Sequence, residues 1–254
     1  MATCKEELNT LPGFDLAPLT AVDPKAFISG DEGEQKVCDF ILSLALIYND
    51  FKDIVWAMRY LHICKPKNPN EVTPYRGQYA AFDNHLTRLY CGLINELFEL
   101  VKDGSQVLAH PLFSKTVNLL SKDAKQHWQA LVQMSRNEKP GDNTFKETFA
   151  RVRNKITYHS DIKEISSGYR HFFFDQNGNT KMDALMSRGN GLPSTRFYFA
   201  DALVEGYLNK RIGGKRADFI KTLGELTDHM RTALNEIITK FINVRGFGFR
   251  PYSS

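Results

Sequence analysis

The chain is poor in the residues that build metal centres and covalent frameworks. Its 254 residues hold four cysteines, Cys4, Cys38, Cys64 and Cys91. No two stand at CxxC spacing and three fall inside apolar helical patterns, so neither a zinc site nor a disulfide framework is expected. Reduced thiols in a cytoplasmic protein are the natural expectation from that usage. His62, His85, His110, His127, His171 and His229 show no metal-ligand spacing with cysteine or carboxylate, and no metal or other cofactor is expected. Long apolar runs are also missing. The best, residues 40–48, stops at Asn49 and Asp50, and MATCKEELNT at the start has no basic segment leading into an apolar stretch. Neither a membrane span nor secretion is therefore expected. No glycine-rich phosphate loop follows a strand: Gly213 and Gly214, followed by Lys215 and Arg216, join two helical patterns and read as a helix stop with a basic turn. No repeat or low-complexity tract occurs.

What is present is ordinary globular composition, 42% apolar and 24% charged, in a length that buries a sizeable core as one domain or one domain with a large insertion. The charge is unevenly divided. Residues 1–34 carry Lys5 and Lys25 against Glu6, Glu7, Asp15, Asp23, Asp31, Glu32 and Glu34, a balance of −5 that leaves +9 on the rest of a chain whose total is +4. A basic body favours the approach of a polyanion, and is equally compatible with simple solubility.

Residues 1–34 hold Pro12, Pro18, Pro24, Gly13, Gly30 and Gly33 with no sustained period, which predicts an irregular acidic arm. From Val37 the apolar positions Ile41, Leu44, Tyr48, Phe51, Val55 and Met58 alternate steps of four and three and predict a long helix ending before Pro66, with Asn49, Lys52, Asp53 and Arg59 on its other face. After the proline-rich loop 65–74, Leu86, Leu89, Leu93, Leu97 and Leu100 mark a second helix that Asp103 and Gly104 stop; Asp83, Arg88 and Glu96 are its polar positions. A shorter helical region over 111–136 breaks near Ser121. A turn over 138–142 follows, and Thr144 and Glu147 then form a capping box for a helix carrying Phe145, Phe149, Val152 and Ile156. Tyr169 to Phe174 reads as a strand entering an Asn177-Gly178 turn, a small hairpin inserted over about 163–193. The aspartate and asparagines there mimic a calcium loop, but Thr180 and Met186 occupy the positions that need glycine and glutamate. Two helices, 195–212 and 216–243, complete a bundle of about five to six. The predicted fold is all-α, a helical domain over 35–245 with a small β-hairpin insertion and a tail over 246–254. That tail interleaves Arg245 and Arg250 with Phe247, Phe249 and Tyr252, a composition suited either to stacking on bases or to packing on the body.

Chemistry gathers at the end of the capped helix, in RVRNKITYHSD over residues 151–161. Arg153, followed by Asn154 and, six positions on, by His159, resembles the signature of the HEPN superfamily (higher eukaryotes and prokaryotes nucleotide-binding), and the surrounding stretch is most similar to its abortive-infection and toxin branches. The resemblance spans roughly residues 35–245 and is concentrated in 143–161. It implies a helical bundle with the motif on a late helix, metal-independent cleavage of RNA, a composite cleft formed by the paired motifs of a homodimer, and a role in phage defence or a toxin system with a partner protein or antitoxin. Some HEPN toxins carry a tyrosine two positions after the histidine. Asp161 stands there in this chain, so regulation through that tyrosine is not expected.

The residue types suit the reaction. Cutting RNA without a metal requires a proton to leave the ribose 2′-hydroxyl, charge on the phosphoryl oxygens to be offset, and the departing 5′-oxygen to be protonated. His159, with an ordinary pKa of about 6.5, serves either proton role. Arg153 offers a planar cationic fork to two phosphate oxygens. Asn154 orients the attacking hydroxyl or holds the histidine tautomer, and Lys155 and Tyr158 are candidate substrate-binding residues. On a regular helix Arg153 and His159 stand roughly 120° apart and about 9 Å along the axis, so a bend near Tyr158 or a second copy of the motif must complete the site. The competing reading uses the same wheel: His159 lies about 40° and Arg153 about 80° from Phe145, which makes them a packing histidine and an edge arginine. The alternative function is then a non-catalytic helical module that binds nucleotide, RNA or a protein.

Overall fold

The computed structural model describes residues 19–68, 72–136, 143–157, 162–191 and 194–251, without the side chains of 143, 144 and 155–157. Outside the described residues lie Tyr158, His159 and Asp161 of the motif region, residues 1–18 of the arm, the turn at 138–142, Pro193 and Tyr252. The protein is an all-α bundle with a small β element. Among the described residues there are nine α-helices: α1 (Glu32–Ile63), α2 (Pro74–Asp103), α3 (Ser105–Leu108), α4 (Pro111–Asn118), α5 (Lys122–Arg136), α6 (Asn143–Arg151), α7 (Ile162–Phe173), α8 (Tyr198–Ile212) and α9 (Arg216–Val244). Six of them run twelve residues or more, in line with the five to six expected from periodicity. Two short strands, β1 (Thr20–Ala21) and β2 (Arg250–Pro251), pair antiparallel. No described helix is long and apolar enough to cross a membrane.

The chain divides into two compact units, the first from described residues within 1–53, 96–142 and 221–254, the second from those within 54–95 and 143–220. In the first unit α1 begins where Asp31 accepts from the Glu34 amide at 2.8 Å, satisfying one of the amides that a helix start leaves bare. Its four-and-three spacing buries Val37, Ile41, Leu44 and Phe51, while Asn49, Lys52 and Asp53 stay exposed. Phe40 meets the edge of Phe113, centroids 5.6 Å apart, and Phe113 leans on Trp128 at 5.8 Å. The predicted break at Ser121 is present. Its hydroxyl caps α5 by accepting from Ala124 N at 3.1 Å, and its amide and hydroxyl both donate to the Glu236 carboxylate at 2.7 Å. On α9, Leu226, Met230, Ala233, Ile237 and Phe241 are fully buried at the predicted spacing. Just past the end of α9, Arg245 donates to Ala26 O, Ile28 O and Glu34, the last at 2.7 Å.

The second unit departs from expectation at one element. Tyr169, His171, Phe172 and Phe173 are not a strand but the last turn of α7. Their aromatic, β-favouring composition is overridden by packing: Tyr169 and Phe173 meet at 4.7 Å one helical turn apart, and α7 lies directly against α8. The two helices touch through glycines. A Cβ on Gly168 would overlap Leu203 O, and one on Gly206 would overlap Gly168 O, so the backbones approach as only glycine permits. Among the described residues, the β character of the insertion is confined to two isolated antiparallel bridges, Phe174 with Thr180 and Ser187 with Arg196. Between the first pair the expected Asn177-Gly178 turn forms, with Gly178 at φ 82°.

Candidate functional site

The motif sits where a helix changes geometry. Phe149 and Val152 are buried at the predicted spacing, and Phe145 and Phe149 pack on Phe219 with centroids 5.4 and 5.8 Å away. The α-helix then ends at Arg151 and continues as a π-helical stretch, Val152–Thr157. A π turn closes i→i+5 and takes in more residues than an α turn, so side chains beyond Val152 leave the regular 100° wheel; such stretches are frequent at functional sites. The 120° separation expected for Arg153 and His159 thus belongs to an uninterrupted α-helix, which this is not.

Of the five predicted site residues, the described structure brings two together. Arg153, half-buried, donates from Nη1 to Oδ1 of exposed Asn154 at 2.7 Å. Because arginine only donates, this bond identifies the asparagine oxygen and takes one of its lone pairs, leaving the two amide N–H donors to meet an acceptor such as a phosphoryl oxygen. Lys155 lies in the π-helical stretch by its backbone. Tyr158 and His159 fall outside the described residues, so the pairing of guanidinium with imidazole is carried by sequence alone.

Long-range partners that no local pattern announces surround the helix end. Glu164 of α7 accepts from Arg211 of α8 at 2.9 Å, and the Arg211 guanidinium lies 5.5 Å from the Tyr207 ring centre. Tyr207 is buried; desolvation pushes its phenol up, and the cations of Arg211 and Arg151 work against that shift. The end of α6 is in this way electrostatically coupled to α8.

A second polar group gathers on α2 and α8. Arg196 grips both oxygens of Asp201, at 2.9 and 3.0 Å, a bidentate geometry that holds both planes. Arg88 donates to Nδ1 of His85 at 3.2 Å, which places the imidazole proton on Nε2. Desolvation, then the charges of Arg88 and Arg196, hold His85 below the ordinary histidine range. Burial raises the Asp83 carboxyl, with Arg216 opposing and Glu205 reinforcing the shift. Asp83 and Arg88, two of the polar positions noted on the second helix, thus face separate charged partners in this polar group, Asp83 those of Arg216 and Glu205, Arg88 those of Asp201 and Arg196. Beside it lies a cavity of about 380 Å³ with an apolar wall that includes Ala80, Ala81, Phe172 and Phe199 and a polar edge at Asn84 and Glu205.

In the first unit His127 and His229, unrelated in sequence spacing, meet with Nδ1 atoms 2.6 Å apart, and Asp123 approaches Nε2 of His127 at 3.4 Å. One of the two Nδ1 atoms must donate and the other accept. Among the described residues no group of three or more histidine, cysteine, aspartate and glutamate side chains is placed to hold a metal ion. Compared with protein-family models, with curated proteins and with solved structures, the chain matches none of them.

Proposed function

We propose that this protein is a metal-independent endoribonuclease, built on Arg153, Asn154 and His159 and acting as a homodimer in phage defence or a toxin system. The observation that carries the reading is the π-helical departure at Val152–Thr157, together with the guanidinium of Arg153 held beside Asn154. In this reaction the 2′-oxygen attacks phosphorus as His159 takes its proton. Arg153 offsets charge on the non-bridging oxygens, and the amide of Asn154 positions one of them. The P–O5′ bond breaks, the 5′-oxygen gains a proton from the imidazolium form of His159, which restores the base, and a 2′,3′-cyclic phosphate remains. Proton transfer of this kind contributes roughly 10² to 10⁴ in rate. Lys155 and Tyr158 flank the bound strand. The HEPN resemblance supplies the second motif from a twofold-related copy, which removes the need for one helix to build the whole site.

The test is cleavage of a mixed RNA pool with chelator present. Activity in the wild type that is lost in both Arg153→Ala and His159→Ala, with cyclic phosphate ends, supports the enzyme. Equal cutting by all three proteins defeats it. A second reading, a non-catalytic module that binds a nucleotide, is favoured by the cavity of about 380 Å³ with Phe172 and Phe199 in its wall, a size and apolarity common to small-molecule sites. Saturable nucleotide binding, abolished by Ala81→Trp, in a protein without Arg153-dependent cleavage would select that reading.

A further inference from the structure

Three partly buried arginines of this protein are matched to carboxylates: Arg196 to Asp201, Arg211 to Glu164, Arg245 to Glu34. Another group of cations is held differently. On α7, Lys163, Ser167 and Arg170 stand at steps of four and three and so share a face. Lys210 reaches the same place from α8, its Nζ donating to Ser167 Oγ at 2.5 Å. Lys181 reaches it from the insertion, its Nζ donating to His171 O at 2.7 Å. The four cations line an open groove of about 960 Å³. Among the described residues, Arg170, Lys181 and Lys210 form no ion pair. The two tethered ammonium groups are fixed by neutral oxygens, which position them without cancelling their charge.

The groove holds one carboxylate among its described lining residues, Asp175. That group is engaged by its own turn, accepting from Asn177 N and Asn179 N at 2.8 Å and from Asn179 Nδ2 at 3.0 Å. These bonds, the Asn179 side chain first, hold its carboxyl below the usual range, so it stays ionised. Arg170, Lys181 and Lys210 against that one anion leave a formal +2 on the groove wall, before any contribution from Lys163 or His171. Half-buried Phe174 adds an aromatic face, and the hydroxyls of Ser166 and Ser167 add donors.

We propose that this groove binds the phosphate backbone of single-stranded nucleic acid, with Lys163, Arg170, Lys181 and Lys210 as the phosphate contacts and Phe174 as a stacking face. It deepens the ribonuclease reading and rests on it for the identity of the polymer. A concave channel that tracks a charged chain and offers it a ring is the recurring form of single-strand sites. A lipid surface, by contrast, meets a protein across a broad flat or convex face. The groove belongs to the same unit as the motif, and α7 packs against the π-helical stretch.

The experiment uses the full chain and a short fluorescein-labelled oligothymidylate, which lacks the 2′-hydroxyl that cleavage requires. With four phosphates neutralised, log K against log salt has an expected slope of about −2.8. Each of Lys163→Gln, Arg170→Gln, Lys181→Gln and Lys210→Gln reduces that slope by about 0.7 and weakens binding roughly fivefold at 0.1 M salt. Lys221→Gln and Arg231→Gln, exposed cations of α9 outside the groove, leave both unchanged. Circular dichroism checks that each variant is folded. The proposal is overturned if the wild type does not bind, if groove and control variants behave alike, or if the protein binds phosphatidylserine vesicles and not the oligonucleotide. Binding that depends on the groove in a protein that cuts no RNA sinks the nuclease and leaves the groove standing. Groove variants that cut RNA with wild-type kcat/KM do the reverse.

Discussion

Replacing Gly206 by alanine sets two opposite effects against each other at one site. In the middle of α8 alanine is the better helix former by about 1 kcal/mol, so in isolation the change stabilises. The new Cβ, however, would overlap Gly168 O and stand 2.9 Å from Phe172 Cβ and 3.1 Å from Gly168 C. Two of these three neighbours are backbone and cannot swing aside, so α7 must retreat from α8. Overpacking of this kind costs about 1–3 kcal/mol, and the backbone contacts put it at the upper end, leaving a net loss of about 2 kcal/mol. Gly224 of α9 is the control. It is also a mid-helix glycine, but nothing lies within 4 Å of its would-be Cβ, so alanine there gains about 1 kcal/mol unopposed. Urea unfolding followed by circular dichroism reads both. With a slope of about 2 kcal/mol per molar, the Gly206→Ala midpoint falls by about 1 M and the Gly224→Ala midpoint rises by about 0.5 M. A rise in both variants would mean that the helices do not approach through Gly168 and Gly206, and the account of α7 as a helix would lose its main support.

Ser121→Ala removes the α5 cap and one bond to Glu236 and is expected to cost about 1–2 kcal/mol, with Ser121→Thr recovering most of it in the same urea assay. Arg245→Ala strips two bonds from the segment around Ala26 and Ile28 and leaves Glu34 without its 2.7 Å partner; hydrogen exchange is expected to speed up at residues 26–34 while α5 stays protected. Cys91, fully buried, has its thiol pushed up to about 12 by desolvation, against 9.0 for an ordinary thiol. Above pH 9 the unfolded chain therefore releases a proton that the folded chain keeps, so stability falls as pH rises from about 9 to about 12, by at most about 1.4 kcal/mol per pH unit. Cys91→Ala should flatten that fall in urea titrations at pH 8 to 10.5, and an unchanged slope would contradict the burial argument.

Elements that depend on neighbours along the chain were readable in advance. The four-and-three spacing placed α1, α2 and α9, and the break at Ser121 was found where expected. Gly213 ends α8 in the left-handed conformation, at φ 60°, as the Gly-Gly pair foretold. Even α2 exceeded its leucine stripe in one respect: Tyr90, Cys91, Ile94 and Asn95 are buried beside Leu86, Leu93 and Leu97, because a central helix is covered on more than one side and a stripe describes only one. The aromatic run Phe172-Phe173-Phe174 misled for a related reason. Local composition favours a strand there, and the contact that makes most of it a helix lies on α8, more than thirty residues away.

The candidate site divides along the same line. Which side chains can hold a phosphate or move a proton, Arg153, Asn154 and His159, follows from residue chemistry and is written in the primary structure. The switch from α to π geometry at Val152, the bond between Arg153 and Asn154, and the pairing of Glu164 with Arg211 across 47 positions came only with folding. So did the convergence of Lys181 and Lys210 on the face of α7. Helix periodicity is a property of residues three and four apart, whereas a binding surface is made of groups whose separation in sequence bears no relation to their distance in space.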